Sequence, residues 1–396
     1  VRTLRRIVVV GGGVAGLRTA EALRHNGFTG ELIGLTSEPH PPYARPPLSK
    51  AALSDPDWRL QPLDETTGVS WRLGTTASGL DLTNRRIEIG DGTDVAFDAA
   101  VLATGLSGRI PPTMRAALPL RTADDAIRLR AILHGHQGNP GRHRNHRHLV
   151  IVGAGFIGSE VAVAARQAGW TVTVADPQHS PLAPALGTRA AQWLWEQHRV
   201  RGVRTRFSHA VHSIERTDDG YHVVLDDGSV VPADAVVAGL GATPNTEWLS
   251  GSGLDITDGV LTDAGGTVVT TDGTVVDDVV AVGDVARTPS PLTGGRAVRH
   301  EHWAAATSGA QRVSATLTGH RPPPAIPPVF WTDVYEHRVQ VTGRPEGTES
   351  EPEPGPRGFC VRYRSGDGTL TGAVAVNWPQ RLAVLTRELA TAGRAA

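Results

Sequence analysis

The sequence predicts an α/β fold built on two parallel βαβ units, and three observations carry that expectation. An apolar run, Arg6-Ile7-Val8-Val9-Val10, ends in the glycine turn Gly11-Gly12-Gly13-Val14-Ala15-Gly16. The same grammar returns 142 residues later, where Leu149-Val150-Ile151-Val152 runs into Gly153-Ala154-Gly155-Phe156-Ile157-Gly158. Each turn is then followed by an apolar-periodic stretch and a second apolar run, the pattern of buried parallel strands joined by a crossover helix.

Taken in order, the first unit places a helix from the glycine turn through Leu23 and a second strand over Glu31 to Leu35. Gly68 to Leu73 and Arg86 to Ile89 read as further strands, as does Ala100-Val101-Leu102-Ala103-Thr104-Gly105. The second unit runs its helix through Ala168 and its second strand over Thr171 to Ala175. The rhythm of Ala100–Gly105 recurs at Ala235-Val236-Val237-Ala238-Gly239-Leu240-Gly241. His134 to His148 holds five histidines at irregular spacing with no acidic partner, so a solvated loop is expected rather than a metal site. Pro322-Pro323-Pro324 and Pro327-Pro328 read as a semi-rigid linker, and Glu346 to Gly358 as a loop within a last domain.

A GxGxxG turn between strand and helix lets the backbone approach a diphosphate and aims a helix N-terminus at its charge. Both copies also carry an acid near the position that accepts hydrogen bonds from an adenosine ribose. Glu38 follows Gly16 by 22 residues and Asp176 follows Gly158 by 18. Two Rossmann-type dinucleotide sites follow. After the second acid comes Pro177-Gln178-His179, without an Arg for a 2′-phosphate, which favours NADH over NADPH. The first site is joined from afar by Thr104-Gly105 and by Gly283-Asp284, a pairing suited to the ribityl chain of FAD.

Composition removes other classes. The 396 residues carry 39 basic and 40 acidic side chains, which leaves no electrostatic footprint for nucleic acid or an anionic membrane. No apolar run approaches the ~18 residues of a spanning helix. Val1 to Gly16 enters the strand-turn pattern at once without a secretory cleavage pattern, so a cytoplasmic protein is expected. Cys360 is the sole cysteine, which excludes a disulfide framework, a thiolate metal site and a redox cysteine pair, and a packed, inert thiol is expected of it. Of the basic residues 38 are Arg and one is Lys, a bias that a G/C-rich genome produces wherever either serves, and against it Lys50 is a candidate for a position that takes a compact ammonium and not a planar guanidinium.

The longer motifs carry a resemblance. Pro42-Tyr43-Ala44-Arg45-Pro46-Pro47-Leu48-Ser49-Lys50, Gly153 to Glu160, Gly241 to Leu249, Ala281-Val282-Gly283-Asp284-Val285-Ala286 and Phe330-Trp331-Thr332-Asp333 resemble the FAD-dependent NADH:ferredoxin reductases of P450 and aromatic-ring dioxygenase systems, from about Ile7 to Leu389. The resemblance implies a glutathione-reductase-like fold with two Rossmann-type domains and a C-terminal α+β domain. It divides the chain into a discontinuous FAD domain, 1–112 and 234–321, an NAD domain, 113–233, and a C-terminal domain, 322–396.

The same resemblance implies the site. FAD would be held by Gly11, Gly13, Val14, Ala15, Gly16, Glu38, Arg45, Lys50, Ala77, Thr104, Gly105, Arg109, Gly283, Asp284, Trp303 and Trp331. NAD would be held by Gly153, Gly155, Phe156, Ile157, Gly158, Glu160, Asp176 and Gly241. Lys50 and Glu160 would form the catalytic pair beside the flavin, a compact positive charge where negative charge develops and a carboxylate to balance it. The sequence departs from the family at Ala44, Ser107, Ala305 and Ser308, which removes a carboxylate, a cation and two amides near the flavin and leaves Arg109 as the nearby cation.

With no cysteine pair to receive them, electrons would leave for an external acceptor, and the resemblance implies a small [2Fe–2S] or [3Fe–4S] ferredoxin serving a P450 or oxygenase. Arg299, Arg338, Arg362 and Arg364 are candidates for a basic docking face, and the fold supports a monomer or a homodimer. The alternatives are an NADH-dependent flavoenzyme that reduces oxygen or a small metabolite directly, and a non-catalytic redox-sensing flavoprotein.

Overall fold

The computed structural model describes residues 4–63, 67–135, 147–290, 293–323, 327 and 329–395. Contacts divide the chain into two compact units, 1–44 with 61–107 and 243–328, and 45–60 with 108–242 and 329–396.

The first unit is organised by a six-stranded sheet. Its strands lie in the order Thr267–Val269, Val275–Ala281, Ala99–Leu102, Arg6–Val10, Glu31–Leu35 and Ser70–Arg72, all parallel except the first. Register pairs Val8 with Ile33 and with Ala100. Successive side chains of a strand point to opposite faces, so each strand feeds two cores. Ile7 and Val9 pack with Ala20 and Leu23 of the helix Val14–His25 and with Ala306, Ala310 and Val313 of the helix Trp303–Thr318. Val8 and Val10 pack instead with Leu80, Ile87 and Val95, from the three-stranded antiparallel sheet Ala77–Asp81, Arg86–Ile89 and Asp94–Ala96.

The second unit repeats the plan. Its parallel sheet runs Val203–Phe207, Thr171–Asp176, His148–Val152 and Ala235–Ala238, with the helix Phe156–Gln167 as crossover. His134 ends the helix Ala123–His134 and His148 opens a strand. The interior of the His-rich stretch, 136–146, lies outside the described residues, as does part of the proline cluster, 324–326 and 328.

The same unit carries a C-terminal antiparallel sheet of Val329–Val334, His337–Gly343, Leu370–Val376 and Phe359–Arg364, backed by the helix Pro379–Ala395. Tyr363, 1% exposed, sends its hydroxyl to the Leu186 carbonyl at 2.7 Å and so ties this sheet to the helical layer of the unit. Within the stretch Glu346 to Gly358, expected as loop, Thr348–Glu349 and Glu353–Pro354 pair with Phe359–Arg364 at the sheet edge. Proline is tolerated there because an edge strand leaves one row of N–H groups without a ladder partner. Among the described residues no helix is long and apolar enough to cross a membrane.

Candidate functional site

Each glycine turn is held by packing on one side and open on the other. Gly11 sits at φ +121, and a Cβ there would stand 2.1 Å from the Ala103 carbonyl oxygen. Gly16 lies as close to the Gly11 carbonyl, so strand, turn and helix touch through bare backbone. Gly13 is different: nothing lies within 4 Å of its missing Cβ, and it begins its helix without a side-chain cap. The second turn matches. Gly153, at φ +103, and Gly158 are closed in by the backbone of Gly239 and Gly153, while Gly155 faces open space at an uncapped helix start. Orphan N–H groups at a helix N-terminus with room in front of them are what a diphosphate requires, so both turns fit a dinucleotide. Val14, Ala15, Phe156 and Ile157 are first-turn residues of the two helices.

The acids beyond the second strands are both engaged. Glu38 accepts a short hydrogen bond from the Tyr43 hydroxyl. Asp176 accepts from the Ala154 N–H at 2.7 Å and the Gln178 N–H at 2.8 Å, one on each oxygen. The first of these ties the carboxylate to its own glycine turn. A carboxylate has about four acceptor positions, so capacity for a ribose hydroxyl remains.

Other expected residues of the first unit gather around its sheet. The Thr104 hydroxyl donates to the Asn245 carbonyl at 2.8 Å and the Asn245 amide returns a bond to the Thr104 carbonyl at 2.9 Å. Gly105, at φ +65, accepts from the Asn245 N–H at 3.0 Å. Ser107 donates to Asn245 Oδ1 at 2.6 Å. Gly283, at φ +77, passes so near the first helix that a Cβ would stand 2.7 Å from that of Ala15, which brings Asp284 to the glycine turn. Ala77 opens its strand and packs into the sheet core. Trp303 starts its helix, whose cap is the preceding His302: Nδ1 accepts from the Ala305 N–H at 3.1 Å. Burial pulls His302 down to about 4, so it caps as a neutral ring.

In the second unit Arg45 donates to the Arg121 carbonyl at 3.0 Å, and the Arg109 N–H donates to the Gly241 carbonyl at 3.0 Å. Lys50 and Glu160 meet, with Nζ and Oε1 2.7 Å apart. The approach to Lys50 is set by Pro46–Ser49, a single 3-10 turn whose leading prolines have their φ fixed in advance. Glu160 is 4% exposed on the helix Phe156–Gln167. A buried carboxylate is costly unless its oxygens find donors, and two hydroxyls complete the set. Thr332 donates to Oε1 at 2.6 Å, and Ser49 donates to Oε2 in a short bond. Neither hydroxyl is foreseeable from the sequence, since they lie 172 and 111 positions from Glu160. Trp331, beside Thr332, is 36% exposed.

Cys360 is fully buried and burial pushes its thiol up to about 11, an inert sulfur. The arginines considered for a docking face are all paired. Arg299 bridges Asp258 and Glu301, Arg338 meets Asp333, Arg362 lies 3.9 Å from Glu353, and Arg364 lies 3.5 Å from Glu388.

The profile of the pyridine nucleotide-disulphide oxidoreductases matches residues 5–310. The chain belongs to this family. It is 35% identical over 355 residues to rhodocoxin reductase of Rhodococcus erythropolis, covering 87% of this chain and 79% of the relative. It is 34% identical over 397 residues to the ferredoxin–NAD(+) reductase component of the p-cumate 2,3-dioxygenase system of Pseudomonas putida, covering 97% and 93%. Its fold superposes on the reductase of the covalent putidaredoxin reductase–putidaredoxin complex with a TM-score of 0.87 at 29% identity, covering 97% and 93%.

Proposed function

We propose that this chain takes hydride from NADH onto FAD and hands the electrons to a small iron–sulfur ferredoxin that serves a P450 or ring-hydroxylating oxygenase. The observation that carries the reading is a Lys50 ammonium paired with the buried Glu160 carboxylate, in a chain with two open glycine turns and no cysteine pair to receive electrons. The reductase components among its relatives support the ferredoxin as acceptor.

Bound FAD supplies hydride acceptance and release of single electrons. The protein supplies placement and charge. Gly11 to Gly16 present N–H groups to one diphosphate and Gly153 to Gly158 to the other. Glu38 and Asp176 receive ribose hydroxyls. This reading also assigns Thr104, Gly105, Gly283, Asp284, Ala77, Trp303, Arg45, Arg109 and Trp331 to FAD. Gly241, at φ +81 with open space at its Cβ, is assigned to NAD on this reading. Lys50 holds an ammonium where negative charge develops, and Glu160 keeps it oriented.

The domain division that accompanies this reading is a flavin part, 1–112 and 234–321, a nicotinamide part, 113–233, and a C-terminal part, 322–396. Within that division Ala235–Ala238 of the flavin part pairs in parallel with His148–Val152 of the nicotinamide part.

The test is NADH oxidation by the purified flavoprotein with cytochrome c as final acceptor, with and without [2Fe–2S] or [3Fe–4S] ferredoxins. The expected result is a large ferredoxin-dependent rise. Equal NADH consumption without ferredoxin would overturn the reading in favour of direct reduction of oxygen or a metabolite.

A further inference from the structure

The strand Val329–Val334 meets the helix Phe156–Gln167 through Phe330 and Thr332. Phe156 and Glu160 are about one helical turn apart, roughly 6 Å along the axis. Phe330 and Thr332 are two strand residues apart, again roughly 6–7 Å. The spacings match, so both pairs close at once. The phenylalanine rings meet edge to face with centroids 5.5 Å apart, and the Thr332 hydroxyl reaches Glu160 Oε1 at 2.6 Å.

Alternation along the strand turns the neighbouring side chain the other way. Thr332 is 1% exposed, whereas Trp331 is 36% exposed. The far end of the strand is pinned as well. Tyr335, in the hairpin turn, stands 3.1 Å from His198 Nδ1, and His198 Nε2 stands 2.8 Å from the hydroxyl of Ser159, the residue before Glu160.

Both oxygens of the carboxylate at the centre are engaged: Oε1 takes Lys50 and Thr332, and Oε2 takes Ser49. We propose that Thr332 and Ser49 are positioning residues whose hydroxyls fix the Glu160 carboxylate, so that it holds the Lys50 ammonium in one orientation and couples it to the strand that presents Trp331. The terminal torsion of a glutamate is broad and roughly two-fold. Its oxygens therefore take a single arrangement only where their donors differ and are themselves fixed, and Thr332 and Ser49 are both buried. This inference rests on the reading of Lys50 and Glu160 as the pair that serves hydride transfer.

Because Lys50 is the sole lysine, protein grown on side-chain ¹³C-labelled lysine gives one ε-methylene signal, with no assignment needed. In the FAD-loaded wild type its two geminal protons should be resolved, as for an immobilised ammonium. Thr332→Val keeps the shape and removes the hydroxyl; it should collapse the pair to one shift and slow single-turnover reduction by NADH about tenfold, with the NADH dissociation constant unchanged. Thr332→Ser restores the hydroxyl and should restore both the resolved pair and a rate within about twofold of wild type.

A resolved pair in Thr332→Val, or a collapsed pair with an unchanged rate, would overturn the proposal. If Thr332→Val does not fold, Ser49→Ala carries the same test on the other oxygen, and persistence of the resolved pair there overturns it equally. The resonance is read without NADH or any acceptor. A wild type that NADH does not reduce would therefore strike the functional reading and leave the carboxylate's positioning to stand or fall on the resonance.

Discussion

The Ser159 hydroxyl and His198 Nε2 stand 2.8 Å apart in a position where both residues are 0% exposed. A neutral imidazole offers one donor and one acceptor, and between Ser159 and Tyr335 it finds a hydroxyl for each. Protonation would put a charge in a buried position near the Arg201 guanidinium, and burial, with that cation's help, pulls His198 down to about 3.

That shift makes stability depend on acid. An unfolded chain titrates histidine near 6.5. Between about 6.5 and 3 the unfolded state holds a proton that the folded state refuses, so stability is whole above the unfolded value and declines as pH falls below it. The limiting slope is about 1.4 kcal/mol per pH unit for one such group. His302, pulled down to about 4, and His148, also lowered by burial, act in the same direction. Urea midpoints measured from pH 7 to pH 4 should fall, and the fall should be shallower in His198→Gln, whose amide keeps one donor and one acceptor. Identical slopes in the two proteins would remove His198 from the account.

The single lysine yields a second expectation. A guanidinium is wider than an ammonium and spreads its charge over a plane. Lys50→Arg should slow reduction of the bound flavin by NADH at least tenfold, about 1.4 kcal/mol in the barrier. Stopped-flow bleaching of the flavin absorbance measures it directly. A wild-type rate in the variant would mean that Lys50 persists for packing or charge alone.

How much of this was legible in the sequence depends on where the determining contacts lie. The two glycine turns could be read because their constraint is local backbone geometry: Gly11 and Gly153 need positive φ and contact with a neighbouring strand, conditions met by the runs Ala100–Gly105 and Ala235–Gly239. The Lys50–Glu160 pair was reached through a composition anomaly and a resemblance. The Thr332 and Ser49 hydroxyls were not reached, because period-2 alternation says that Thr332 points away from Trp331 without saying what it meets. The capping role of His302 was not reached for another reason. A ring nitrogen capping a helix lies outside the Ser, Thr, Asp and Asn preferences by which helix starts are recognised.

The glycine turns also separate folding from binding within one motif. At Gly11 a side chain would collide with the Ala103 carbonyl at 2.1 Å and force a non-glycine residue to φ +121, so Gly11→Ala should cost most of the protein's folded yield. At Gly13 the backbone is ordinary, φ −83, and nothing stands within 4 Å of the added methyl. Gly13→Ala should therefore fold like the wild type yet retain flavin poorly, because the methyl occupies space assigned to the diphosphate. The nicotinamide side repeats the contrast. Gly153→Ala meets the Gly239 carbonyl at 2.3 Å, whereas Gly155→Ala meets open space and should raise the NADH dissociation constant about tenfold with the melting temperature of the apoprotein unchanged. Melting curves of the four apoproteins, read beside flavin content and NADH titrations, check the whole set. Full flavin retention in Gly13→Ala together with wild-type NADH affinity in Gly155→Ala would show that the open sides of these turns do not face a dinucleotide.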